Sequence, residues 1–150
     1  MSAGLFVVGI LHAAMWDTPM VGFLSASVVK PRVDLTVQVA LDREDGVVRL
    51  GLYDCRSAYR ADDPVQDAHL TPNADGTVTV TFRGLAPGTY AVKGFQDLDG
   101  DAKIDTNIVG YPTEPFGFSN DAPVRFGPPS FDRAAFTVDA AGTHHRFSLH

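Results

Sequence analysis

From Val33 to Leu41 the side chains alternate, with Val33, Leu35, Val37, Val39 and Leu41 on one face and Asp34, Thr36 and Gln38 on the other. A period of two is that of a strand with one buried face. The polar run Asp42-Arg43-Glu44-Asp45-Gly46 then leads into a second strand, Val47 to Tyr53, and the short connection predicts a hairpin. Asp75-Gly76 precedes Thr77 to Phe82, where Val78, Val80 and Phe82 alternate with threonines, and Leu85-Ala86-Pro87-Gly88 turns the chain into Thr89 to Phe95. The same turn chemistry predicts a second hairpin. Further strands are expected over Ala134 to Val138 and His145 to Leu149, parted by the turn Asp139-Ala140-Ala141-Gly142. Ser57 to Thr71 is acidic and bears a proline, so it reads as a loop with one helical turn near Asp63 to His69. Asn107 to Phe131 is rich in Gly, Pro and Phe and has no period; its length predicts an ordered functional or packing loop.

About seven short strands and no long helical pattern predict an all-β fold, a two-sheet antiparallel sandwich of immunoglobulin-like or transthyretin (prealbumin)-like kind, with a closed barrel as second choice. The 150 residues suffice for one domain, expected over residues 31–150. Residues 1–30 differ in texture: Leu5 to Leu11 and Met20 to Val29 are apolar, and Ser25-Ala26-Ser27 offers small residues for cleavage. Neither run spans a bilayer, so the segment reads as a signal peptide or an N-terminal extension, although no Lys or Arg precedes the first run. A periplasmic or secreted location follows, with no stable membrane span in the mature chain. The formal net charge of −6 argues against a nucleic-acid partner, because phosphates need clustered Lys and Arg. The single cysteine, Cys55, rules out an internal disulfide and is expected as a small buried residue.

The most telling chemistry is D-L-D-G-D-A-K-I-D, Asp97 to Asp105. Its four carboxylates repel one another unless a hard cation sits among them. The spacing follows the start of an EF-hand loop: side-chain oxygens from Asp97, Asp99 and Asp101, the backbone carbonyl of Lys103, then Asp105 directly or through water. Such a flexible oxygen set predicts Ca²⁺ over Mg²⁺. Position six is Ala102 where glycine belongs, and position twelve is Ile108 where a bidentate Glu belongs. The loop is therefore expected on another scaffold, with a further ligand drawn from Glu114, Asn120 or Asp121. A solvated acidic turn is the simpler alternative.

Catalytic patterns are sparse. Ser119 lies in G-F-S-N-D, which lacks the second glycine of a nucleophile elbow, and the adjacent His144 and His145 point to opposite faces of a strand. The aromatics Phe116, Phe118, Phe126 and Phe131 are expected as a satellite cluster over one end of the sandwich, in preference to a ligand platform. In Pro87-Gly88-Thr89-Tyr90, the tyrosine should pack inward with its hydroxyl on a backbone partner.

The segments L-A-P-G-T-Y-A-V (85–92), D-L-D-G-D-A-K-I-D-T-N (97–107), Y-P-T-E-P-F-G-F-S-N (111–120) and F-G-P-P-S-F (126–131) occur in an order that closely resembles domain of unknown function 2141. This exported bacterial family is matched over about Leu35 to Leu149. The resemblance implies a small secreted or periplasmic β-sandwich, an acidic or asparagine-rich loop at Asp97 to Asp105, and no established reaction. The expected role is thus a non-catalytic module with a structural Ca²⁺ site, acting on an unknown ligand or envelope partner. The alternative is a carbohydrate-binding or hydrolytic domain that combines the acidic loop with Tyr111, Phe116 and Phe118.

Overall fold

The computed structural model describes residues 30–150, so the expected signal peptide or extension lies, but for Lys30, outside the described residues. Among these there are eight strands: β1 (Val33–Leu41), β2 (Val47–Tyr53), β3 (Gln66–Leu70), β4 (Thr77–Leu85), β5 (Gly88–Asp97), β6 (Phe116–Phe118), β7 (Phe136–Val138) and β8 (Thr143–Leu149). Two short helices, α1 (Arg56–Ala61) and α2 (Phe131–Ala134), and a 3-10 turn at Ser119–Asp121 complete the regular structure. One sheet runs in the order β4-β1-β8 and the other β3-β2-β5-β6, with β7 pairing the first residues of β5 beyond β6.

The alternation in β1 acts as expected: Leu35, Val37 and Val39 are fully buried. They meet Val48, Leu50 and Leu52 of β2 and Tyr90 and Val92 of β5 in a core shared by both sheets, which also takes in Phe82, Val138, Phe147 and Leu149. Each fully buried Leu or Phe there contributes about 1.5–3 kcal/mol by leaving water. Tyr90 is buried and its hydroxyl donates to the Ala86 carbonyl at 2.9 Å, as expected from the Pro-Gly turn.

Both predicted hairpins are corrected. β1 pairs with β4 and β8, while β2 pairs with β3 and β5, so the Asp42–Gly46 turn crosses from one sheet to the other. Alternation specifies which face is buried and leaves the neighbour open. Gln96, fully buried at the end of β5, donates its amide to the carbonyls of Arg43 and Asp45 and pins that crossing. β4 and β5 likewise lie in different sheets. The all-antiparallel expectation also fails at one place: β8 runs parallel to β1, from Leu35↔Thr143 to Leu41↔Leu149. A parallel neighbour requires a long connection, and β8 arrives only after the chain has visited the other sheet through β5, β6 and β7.

The Ser57–Thr71 reading is corrected as well. The helix comes earlier, at α1, and the predicted helical turn is instead β3, whose Gln66, Ala68 and Leu70 are half-buried beside β2. Cys55 is exposed at the start of α1, contrary to expectation, because the chain has left the sheet by that point. The Asn107–Phe131 segment contains β6, where the Phe116 amide and carbonyl pair with those of His150 just after β8 and join the two sheets at one corner. A side chain on Gly117 would strike the Ser148 carbonyl, so only glycine permits this approach.

Candidate functional site

The acidic loop leaves the end of β5. Asp97 is buried and serves as its anchor: Oδ1 accepts the Gly100 N–H at 2.7 Å, and Oδ2 accepts the Ala102 N–H at 3.0 Å and Arg49 Nε at 2.7 Å. Glu114, also buried, closes the loop from the other side by accepting the amides of Leu98 (2.7 Å) and Asp105 (3.1 Å). Asp99 and Asp101 accept the amides two residues onward, as aspartates commonly do in turns. Gly100 and Ala102 both adopt left-handed backbone, at φ 82° and 69°. Ala102 therefore meets the bend that glycine normally serves, with a Cβ that costs about 1–2 kcal/mol there.

One oxygen each from Asp97, Asp99 and Glu114 can lie within 4.8 Å of one another, and the same holds for Asp99, Asp101 and Asp105. Oxygens on opposite sides of a Ca²⁺ stand about 4.6–5.2 Å apart, so either triad fits around such an ion. Of the three candidates for the further ligand, Glu114 joins the cluster. Asn120 and Asp121 do not: Asn120 donates to the carbonyls of Arg133 and Ala135, and Asp121 accepts the Ser148 N–H. Lys103 is in the loop, with its amide on Asp101 Oδ1.

The charges pull in opposite directions within one loop. The Arg49 guanidinium holds the Asp97 carboxyl below its ordinary pKa, with the Gly100 and Ala102 amides adding to the effect against the cost of desolvation. Asp105 is pushed up, chiefly by repulsion from Asp99, then by desolvation and by Asp101, Glu114 and Asp97. A bound cation would reverse that repulsion, whereas Arg49 is paired with Asp97.

A groove of about 720 Å³ opens beside the loop on the outer face of the five-stranded sheet. Strand register sets its floor in two rows, His69–Arg49–Phe95–Phe116 and Asp67–Gly51–Lys93–Phe118. Lys93 Nζ is 2.9 Å from Asp62 Oδ1 and sits over the rings of Tyr53 and Tyr59 at 4.7 and 4.4 Å. The Tyr53 hydroxyl donates to the same Asp62 oxygen at 2.6 Å. Burial raises the pKa of both tyrosines; it opposes ionisation of Asp62 too, but Tyr53 and Lys93 outweigh it and hold that carboxyl low. Ala102, Ile104 and residues 109–112 and 124–128 supply the walls.

The expected aromatic cluster is divided by this arrangement. Phe118 and Phe131 are buried with Tyr53, Tyr59 and Ala91 in a second apolar cluster, Phe116 packs against it, and Phe126 is fully exposed at the groove. Tyr111, Phe116 and Phe118 all line the groove. Nothing in the one-dimensional pattern singled out Arg49, Lys93 or Tyr53; the only signal was their alternation with buried residues on β2 and β5.

Ser119 is sealed in the interior, donating to the Ala134 carbonyl and accepting the Val92 amide. His144 is exposed, whereas His145 shares the face of Phe147, stacks on Phe136 at 3.8 Å, accepts the Asn120 amide and has a pKa lowered by burial. No helix of the described residues is long and apolar enough to cross a membrane. No curated protein and no solved structure matches the chain. The sequence profile described as "Uncharacterized protein conserved in bacteria (DUF2141)" does match, over residues 37–146, and this span, which holds the acidic loop, Glu114 and the groove, makes the chain a member of that family.

Proposed function

We propose that this chain is an exported, non-catalytic β-sandwich module, periplasmic or secreted, whose acidic loop takes Ca²⁺ as a structural brace. The observation that carries the calcium reading is the sharing of Asp99 between two carboxylate triads, one of which includes the buried Glu114. Asp97, Asp99, Asp101, Asp105 and Glu114 are the side-chain donors in this reading, with the Lys103 carbonyl as the backbone donor. Their existing bonds to loop amides do not compete for all the lone pairs, because each carboxylate offers about four acceptor sites. The ion would tie β5 to the strand entering β6, and an unknown envelope component or ligand is the partner.

The sandwich reading, immunoglobulin-like or transthyretin-like, is supported by the single core that the two sheets share. Export is supported by the apolar runs of residues 1–30. The sealed hydroxyl of Ser119 favours a structural over a nucleophilic role. A carbohydrate site drawing on Tyr111, Phe116 and Phe118 fits less well. The floor's polar groups are already paired, Arg49 with Asp97 and Lys93 with Asp62, and sugar hydroxyls need partners of their own.

Thermal melts of the full chain in chelator, in excess Ca²⁺ and in excess Mg²⁺ test the calcium reading. At a hundredfold excess over Kd, Ca²⁺ should add about 2.7 kcal/mol of stability and raise Tm, with Mg²⁺ doing less. Superimposable melts in chelator and calcium would leave the loop as a solvated acidic turn.

A further inference from the structure

Four of the six large apolar side chains that are exposed among the described residues converge on one concavity. Ile104, Val109, Tyr111 and Phe126, at 39, 81, 56 and 107 % exposure, line the groove over β2 and β5. Apolar side chains scattered singly need no explanation, whereas a rim of them around a cavity of ligand size does.

Charge says what kind of occupant suits it. The chain has a net charge of −6, yet the groove is lined by Arg49, Lys93 and Arg125 against only Asp62 and Asp67. Arg49 and Lys93 are held by Asp97 and Asp62. Arg125, beside Phe126 on the rim, has no ion-pair partner among the described residues. The floor thus offers aromatic surface with its own polar groups satisfied, and the rim offers Arg125 as a cation uncommitted among the described residues.

We propose that the groove is a binding site for a small amphipathic anion, with an alkyl or aryl body against Tyr111, Phe116 and Phe126 and a single carboxylate or sulfonate at Arg125. The groove adjoins the acidic loop through Arg49, Ala102 and Ile104, but the contacts proposed here, at Tyr111, Phe116, Phe126 and Arg125, use none of its carboxylates, so the inference does not rest on the calcium reading. It selects against sugars, whose hydroxyls would find few free partners, and against polyphosphates, which need several free cations.

The test is a fluorescence titration of the full chain with two probes of like shape, anionic 1-anilinonaphthalene-8-sulfonate and neutral N-phenyl-1-naphthylamine, followed by displacement with decanoate. Near-ultraviolet circular dichroism on each sample shows that binding is to the folded protein. One saturable site is expected for each probe, displaced by decanoate. Tyr111→Ser/Phe126→Ser should weaken both probes by about tenfold or more, a loss of about 1.4 kcal/mol. Arg125→Glu should weaken the sulfonate by about tenfold and leave the neutral probe within about twofold. These side chains are exposed, so the fold should tolerate their loss. Absence of saturable binding, indifference to both variants, or displacement by glycans but not by decanoate would overturn the proposal. Running each titration in chelator and in Ca²⁺ separates its failure from that of the calcium reading, which is judged by the melts.

Discussion

Ala102 is the residue at which local geometry and side chain disagree most plainly. It holds φ 69° where the loop bends, and glycine takes that conformation without a Cβ penalty. Ala102→Gly should therefore stabilise the protein by about 0.5–1 kcal/mol in chemical denaturation, the strain relieved being partly offset by the greater freedom of glycine in the unfolded chain. Asp105 offers a sharper contrast. Because its folded pKa is raised, chiefly by Asp99, the metal-free folded state binds that proton more tightly than the unfolded state, and its contribution to stability grows as pH falls through the raised value. Asp97 has the opposite sign: its pKa is lowered, chiefly by Arg49, so its contribution is fully present above the unfolded pKa and disappears as pH falls through the folded one. Asp105→Asn should accordingly raise Tm in chelator at neutral pH and lower Tm relative to the parent in excess Ca²⁺. Melts of both proteins in both buffers check this inversion, and a shift of the same sign in both would count against coordination by Asp105. The acidic spacing was legible in the sequence, as was Glu114 among three possible helpers. What spacing could not show is that Arg49, forty-eight residues earlier, already stands on the first carboxylate.

At the scale of elements, the corner between β6 and β8 positions the loop. Glu114 stands two residues before Phe116, whose amide and carbonyl pair with those of His150 at 3.1 and 3.2 Å. Gly117 lets β6 approach Ser148 closely. Gly117→Ala should cost roughly 1–3 kcal/mol, as overpacking typically does, and should loosen the Glu114 clasp on Leu98 and Asp105. Urea denaturation measures the first effect, and faster hydrogen exchange at the Leu98 and Asp105 amides would report the second. Strand existence was readable where alternation was long and uninterrupted, as in β1, β2, β4 and β5. β3 was obscured because its outward positions Asp67 and His69 and the nearby Pro64 made the stretch look like a polar loop. Three-residue β6 is too short to show a period, and β7 keeps only Phe136–Val138 of the strand expected over Ala134 to Val138, because Phe131–Ala134 form α2; both strands take β5 as their partner.

For the molecule as a whole, both sheets contribute to one apolar core, so neither should melt by itself. Leu35→Ala in the three-stranded sheet and Leu52→Ala in the five-stranded sheet should each cost roughly 2–5 kcal/mol and leave a single transition that far-UV and near-UV circular dichroism report together. Two separable transitions would contradict the shared core. By itself the sequence determined the β class, the buried faces of the long strands, the inward Tyr90 and the crowded carboxylates of Asp97 to Asp105, because period-two burial, turn chemistry and charge repulsion act over a few residues. Only the tertiary structure decided that β1 and β2, and likewise β4 and β5, part into different sheets, that β8 lies parallel to β1, and that Arg49 and Glu114 meet the acidic loop. It also decided that Tyr53, Lys93 and Phe116 share a groove. Each of these depends on which free backbone edge a strand finds and on which side chains long connections bring together, and neither is encoded in the spacing of neighbours along the chain.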